Sequence, residues 1–254
     1  IKKRCEKGSL FASVVRVFSM KFHKMINVYK NVYAFITPSE FLKNKLALNG
    51  FEEKRIHCIP TFTASKTTIG EQQIGSYGLY FGRVTEEKGV ETVIKAYEKL
   101  PEYTVKIMGD DTTDEAKRLK KYVENHKMKN VEFLGFKSGE ELENVIKGAR
   151  FTLIPSIWYD NLPNTALESF QYSKPVIASN IGSLPELVID GENGYLFKPS
   201  NVEDLIKKIK MLDDDTLVKK MGQASRKRLE SRFAPQTHYE ELMKIFNEAV
   251  KSRK

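Results

Sequence analysis

From residue 77 onward, short apolar runs alternate with segments of helical period, and this alternation leaves the chain few architectures to fold into. The runs near 77–82, 104–108, 131–134, 151–154, 175–178 and 194–197 read as strands. The patterns near 88–100, 113–127, 139–148, 164–172, 184–189 and 201–212 read as the helices between them. Strand and helix in regular alternation predict an α/β fold, a Rossmann-like doubly wound parallel sheet. Local chemistry supports the helix starts. Thr112 with Glu115, Ser138 with Glu141, Ser183 with Glu186 and Ser200 with Glu203 all have the spacing of a capping box. Helices near 215–230 and 235–252 close the chain, and 254 residues at 41% apolar content suffice for a sizeable core.

The front of the chain differs in character. Residues 1–60 hold twelve Lys or Arg against four Glu, which leaves about one of the nine net positive charges for everything after. Between Leu10 and Tyr29 the residues Leu10, Val14, Phe18, Phe22, Met25 and Tyr29 recur at helical spacing, with Lys2, Lys3, Arg4, Lys7, Arg16, Lys21 and Lys24 around them. Such a helix suits packing against the rest of an N-terminal domain, the favoured reading because a core helix needs the same period. It also suits peripheral contact with an anionic membrane. A strand at 33–37, a helix at 39–48 and a strand at 56–59 follow. Thr37 with Glu40 has capping-box spacing, and Gly50 is placed to end the helix.

Residues 60–76 are polar, aperiodic and contain glycine, as a linker would. The expected division is a partial domain over 1–62, a linker over 63–76, the sheet domain over 77–235 and a closing helical segment over 236–254. A chain that starts at Ile1 is expected to be a fragment. No apolar run reaches bilayer-spanning length and no signal-peptide core opens the chain. Cys5 and Cys58 stand too far apart to form a metal motif or a disulfide framework, so a cytoplasmic location is expected, with the inner membrane face as a further option. No interleaving of aromatic and basic residues suggests nucleic acid as a partner.

Chemistry concentrates in residues 154–186, IPSIWYDNLPNTALESFQYSKPVIASNIGSLPE. Asp160 follows an apolar run in a loop, Pro163 suits a first helical turn, and Glu168 falls one to two turns into the helix. Both carboxylates can then line one cleft at the carboxyl end of a strand, beside helix N–H groups that attract phosphate. Upstream, in YFGRVTEEKG, Gly82 ends a strand and lets backbone approach a ligand. Arg83 offers a planar fork to phosphate oxygens, and Lys88 adds a point charge near a helix start. The plainer alternatives are surface residues of a turn for Arg83 and Lys88, an exposed helix carboxylate for Glu168, and a helix cap for Asn161. Trp158 and Tyr159 read first as core and second as walls of a pocket. Glu186 is explained by a capping box with Ser183. His23, His57, His126 and His238 have no carboxylate or cysteine at ligand spacing, so no metal and no cofactor is expected.

Four stretches in order, 80–100, 131–136, 154–186 and 190–205, resemble the family-4 glycosyltransferases of the two-domain GT-B fold over nearly the whole chain. That family carries a glutamate, seven intervening residues and a second glutamate; here Asp160 takes the first position and Glu168 the second. The resemblance implies a retaining, metal-independent transfer of sugar from a UDP- or GDP-sugar to a glycan or lipid-linked acceptor, in surface polysaccharide biosynthesis. It implies that Arg83 and Lys88 hold the donor diphosphate and that Asp160 holds a sugar hydroxyl, which makes these three the candidate catalytic residues. Aspartate is one methylene shorter than glutamate, so its reach and sugar preference would differ.

Glu168 would accept from the ribose diol, as an acidic residue does in dinucleotide folds. Asn161, Leu162, Pro163, Asn164 and Thr165 match the turn whose main-chain N–H groups meet phosphate and sugar. Gly135, between Leu134 and Phe136, matches the loop that packs on the base. Residues 1–62 would be the tail of the acceptor domain, so the chain would bind donor and transfer poorly. The alternatives are a nucleotide-sugar-binding module that needs a partner chain, and a GT-B epimerase. An NAD-dependent oxidoreductase fits less well, because FGRVTEEKG lacks the glycine spacing of the dinucleotide fingerprint.

Overall fold

A computed structural model describes residues 9–63 and 73–252. Lys2, Lys3, Arg4, Cys5 and Lys7, and linker residues 64–72, lie outside the described residues. The first part contains α1 (Leu10–Met25), β1 (Phe35–Thr37), α2 (Glu40–Leu48) and β2 (Ile56–Cys58), with β1 and β2 paired in parallel. α1 ends before the periodic stripe does, because Asn27 takes a left-handed conformation (φ 52) and a single 3-10 turn follows at Val28–Asn31. The stripe faces outward among the described residues, with Phe18 and Met25 each 72% exposed. No helix among the described residues is long and apolar enough to cross a membrane.

The second part alternates as its sequence period requires: β3 (Tyr77–Phe81), α3 (Val90–Glu98), β4 (Thr104–Met108), α4 (Asp114–Asn125), β5 (Val131–Gly135), α5 (Gly139–Lys147), β6 (Ala149–Ile154), α6 (Asn164–Gln171), β7 (Val176–Ser179), α7 (Leu184–Leu187) and β8 (Gly194–Phe197). α8 (Val202–Lys210), α9 (Asp215–Arg232) and α10 (Pro235–Lys251) complete it. The strands form one six-stranded sheet in the order β5-β4-β3-β6-β7-β8, every neighbouring pair parallel. Helices cover both faces, so the central strands are buried over most of their length, β7 throughout and β6 at every residue but Arg150. Tyr80, Ile107, Leu153 and Ile177 pack toward α3 and α8, while Leu79, Phe81 and Met108 pack on the opposite side with Ile146 of α5. Successive side chains on one strand thus enter different cores, as the period of two demands.

Two caps sit one residue from their expected places. Thr113 accepts from the Ala116 N–H where Thr112 was expected to cap, and Asn201 accepts from Asp204 where Ser200 was expected. In each case the residue just inside the expected one also has a short polar side chain able to bond its own backbone, and the two choices look alike in sequence. At α2, Ser39 caps instead of Thr37, and Ser138 makes no side-chain cap bond. α10 returns to the small sheet: the His238 Nδ1 donates to the Pro60 carbonyl at 2.7 Å, and Ile245 lines a cavity of about 300 Å³ with Ile56 and Cys58.

Candidate functional site

The sheet order reverses between β3 and β6, since successive crossovers after β3 run outward on one side and those after β6 on the other. Beyond the carboxyl ends of two such strands the chain departs in opposite directions and leaves a crevice. Both candidate segments start there, Gly82 after β3 and Ser156 after β6. Gly89 brings them together. It has φ +69, and a Cβ placed on it would lie 2.1 Å from the Pro155 carbonyl oxygen, so the turn that carries Lys88 touches the end of β6 directly.

One cleft, of about 210 Å³, is lined by Tyr80, Arg83, Lys88, Ser156, Asp160 and Thr165, with Gly82, Pro163 and Asn164 completing its rim. Lys88 Nζ donates to both oxygens of Asp160, at 2.8 and 2.7 Å, and the Ser156 hydroxyl donates to Oδ2 at 2.6 Å. Asp160 is only 9% exposed, and these three bonds replace the water that its carboxylate gives up. The Tyr80 hydroxyl donates to the Arg83 carbonyl at 2.5 Å and fixes the turn after β3; burial first, and the Asp160 charge second, push its pKa up. The Arg83 side chain is exposed and borders the opening.

A second cleft, of about 290 Å³, adjoins the first and shares Phe81, Gly82, Arg83 and Thr165 with it. Its further lining includes Met108, Asp110, Phe136, Lys137, Leu142 and Glu168. Burial raises the pKa of Glu168, because the ionised carboxylate loses water beside these apolar groups. α6 begins between the two clefts with Pro163 at its N-cap and no side-chain cap, so its first N–H groups and its dipole meet the shared wall. Arg83 and this helix start make the shared wall electropositive, while Lys88 lines the first cleft alone with its charge paired to Asp160. Among the described residues no group of three or more His, Cys, Asp or Glu is gathered as metal ligands would be.

Eight of the expected site residues line these clefts: Gly82, Arg83, Lys88, Asp160, Pro163, Asn164, Thr165 and Glu168. Three do not. Gly135 ends β5 with φ +68 and its carbonyl accepts from Gly109; the residues after it, Phe136 and Lys137, reach the cleft. Leu162 is buried in the core, and its N–H is already bound to the Ser183 hydroxyl at 2.7 Å. Asn161 does not cap α6; its Oδ1 accepts from Ser39 of α2 at 2.8 Å. Trp158 and Tyr159 are not core: they are 48% and 60% exposed, and Tyr159 packs on Phe41. Ser183 and Glu186 form no capping box, since Ser183 is held by Asp160 and Leu162. Sequence reasoning missed Ser156 and Tyr80. Ser156 lies four residues before Asp160 in the same loop, which was its one available signal.

The family model of glycosyl transferases group 1 matches residues 68–228. An uncharacterized glycosyltransferase of Methanocaldococcus jannaschii is 30% identical over 190 residues, which cover 74% of this chain and 52% of that protein. Among solved structures, a glycosyltransferase from Rickettsia africae superposes with a TM-score of 0.80 at 21% identity, over 89% of this chain and 66% of that one. Anabaena HepE in complex with UDP and glucose superposes with a TM-score of 0.75 at 19% identity, over 85% of this chain and 63% of that one. At such identities the likeness shows the fold, and the fold is of the GT-B type expected from the sequence. The chain spans about half the length of the curated relatives it matches, 52% of one and 42% of another.

Proposed function

This chain belongs to the glycosyl transferases group 1, and from that premise we propose that the paired clefts bind a nucleotide-sugar, sugar in the Asp160 cleft and nucleoside in the Glu168 cleft. The observation that carries the reading is the position of Arg83 in the wall common to both clefts, beside the uncapped start of α6. A nucleotide-sugar has its diphosphate in the middle, and a ligand that fills both clefts must lay that middle on Arg83 and the helix N–H groups. Glu168 then faces the ribose diol and Phe136 the base. Asp160 accepts from a hydroxyl of the sugar, with Ser156 orienting its carboxylate.

Transfer breaks the bond between the sugar C1 and the diphosphate oxygen and forms one from C1 to the oxygen of an acceptor hydroxyl, whose proton passes to the departing diphosphate. Arg83 and Lys88 stabilise the charge that departs with the diphosphate, and the proposal therefore runs without a metal. Retention of configuration, and a glycan or lipid-linked acceptor in surface polysaccharide synthesis, rest on the family alone. Transfer is assigned to the whole protein and donor binding to this chain. Peripheral contact at an inner membrane face is supported by the outward apolar stripe of α1 beside Lys21.

Calorimetric titration with UDP, GDP and ADP, with and without magnesium, tests the donor reading on wild type, Arg83→Ala and Glu168→Ala. Micromolar binding of one nucleotide, indifferent to magnesium and weakened about tenfold or more in each variant, is the expected result. A wild-type chain that binds none of the three overturns it.

A further inference from the structure

Glu186 lies outside both clefts, yet its carboxylate spans two units of the chain. Its Oε2 accepts from the Glu40 N–H at 2.8 Å and its Oε1 from the Phe41 N–H at 2.6 Å. These are the first two N–H groups of α2, so a carboxylate some 145 residues away takes the donors that the helix cannot satisfy itself. A charged acceptor on two amides at a helix N-terminus joins two charge-assisted bonds with a favourable dipole interaction. Glu186 is itself anchored, because Arg228 donates to its carbonyl at 2.5 Å and its neighbours Leu184 and Leu187 are fully buried.

The same helix grips the loop that carries Asp160. Ser39, the α2 N-cap, donates to Asn161 at 2.8 Å, and Phe41 packs on Tyr159 with ring centroids 4.9 Å apart. Lys45 covers both rings, at 5.3 and 5.0 Å. Both neighbours of Asp160 in the chain are therefore bound to α2. From the other side, the Ser183 hydroxyl donates to the Asp160 carbonyl at 2.8 Å and accepts from Leu162. Asp160 thus has its backbone held between α2 and the start of α7, and only its carboxylate turns into the cleft. A shift of α2 would carry this loop with it.

We propose that Glu186 is a positioning residue for the sugar end of the cleft: by capping α2 it sets α2 against residues 159–161 and so fixes the angle at which Asp160 meets the sugar. The inference rests on the donor reading above. It separates two parts of one ligand, since a nucleotide alone does not reach Asp160 and a nucleotide-sugar does. Loss of Glu186 should therefore change how the protein responds to the sugar and leave its grip on the nucleotide alone.

The probes are UDP with UDP-glucose, GDP with GDP-mannose and ADP with ADP-glucose, titrated into wild type, Glu186→Ala and Glu186→Gln. In Glu186→Ala the nucleotide Kd should stay within about twofold of wild type, while the ratio of nucleotide to nucleotide-sugar Kd shifts about tenfold. Glu186→Gln should recover most of that shift, because its amide oxygen still accepts one N–H. A ratio unchanged in Glu186→Ala, or a parallel loss for both ligands, overturns the role of Glu186 while leaving the donor site standing. A wild-type chain that binds none of UDP, GDP and ADP overturns the donor reading and this role with it. Amide exchange on wild type gives a readout that needs no variant: the nucleotide-sugar should slow exchange at Glu40 and Phe41 more than the nucleotide does, and equal protection overturns the proposal.

Discussion

Lys88 Nζ stands 2.7 and 2.8 Å from the two carboxylate oxygens of Asp160, 72 residues away, and each side chain is less than one-fifth exposed. A pair so shielded has given up most of its hydration, so its members depend on one another more than a surface pair does. Lys88→Ala should lower the unfolding free energy by about 3 kcal/mol, because it strands the Asp160 carboxylate with the Ser156 hydroxyl as its remaining hydrogen-bond partner among the described residues. The double variant Lys88→Met with Asp160→Asn should regain most of that loss, since it removes both charges at similar volume. Urea denaturation of wild type, Lys88→Ala, Lys88→Met, Asp160→Asn and the double variant measures both the loss and the coupling. A Lys88→Ala protein within about 0.5 kcal/mol of wild type would show that solvent screens the pair.

Gly89→Ala is expected to damage fold and site together. The residue sits at φ +69, and the added Cβ would lie 2.1 Å from a backbone oxygen, that of Pro155, which no side-chain rotation can relieve. The turn from Thr85 to Gly89 must then leave the end of β6, which pulls Lys88 away from Asp160. A loss of about 3 kcal/mol or more is expected from strain and displacement combined. Thermal melting checks the stability, and nucleotide titration of any folded protein checks the site; an Ala variant that melts like wild type would mean the turn is free to move.

Lys174 is 1% exposed, and its ammonium donates to three carbonyls: Gln73 and Lys147 at 2.6 Å and Ala149 at 2.7 Å. One side chain thereby ties the entry to β3, the end of α5 and the start of β6. Lys174→Met has similar length and no donor, so three acceptors, that of Ala149 fully buried, lose their partner and stability should fall by about 3 kcal/mol. Urea denaturation reads this directly. A change below about 1 kcal/mol would mean that water enters and replaces the ammonium.

The strands and helices were legible because the period of the apolar residues changes with each element and nothing in the core contradicts it. The run near 175–178 reads as a buried strand, and Val176–Ser179 folds as one. The spacing of Asp160 and Glu168 was legible for the same reason, since both depend on a strand end and the helix after it. What sequence could not show is contact across distance. Asn161 and Glu186 each had a local explanation as a cap, and each is bound instead to α2, 122 and about 145 residues away. Local spacing records which bonds a residue can make with its neighbours and is silent about an N-terminus that arrives from elsewhere. Tyr159 misled in a similar way: an aromatic ring beside a buried strand resembles core until Phe41 of α2 supplies it a partner on the surface.

Glu168 has a raised pKa because burial disfavours its charge, and the sign of the consequence follows from where the proton sits. Below the ordinary carboxyl value of 4.5 the group is protonated in both folded and unfolded chains and burial carries no charge penalty. Above the raised value it is ionised in both, and the folded state bears the full desolvation cost. Between the two the folded chain binds more protons, so the contribution of Glu168 to stability falls as pH rises through that window. Glu168→Gln is neutral throughout, and it should melt at a higher Tm than wild type near neutral pH, with the gain shrinking toward about pH 4. The same substitution should weaken nucleotide binding about tenfold, because an amide is a poorer acceptor for a diol than a carboxylate. Higher stability with lower affinity would mark Glu168 as a carboxylate held at a cost for a ligand. Lower stability at neutral pH would show instead that its charge helps to hold the fold.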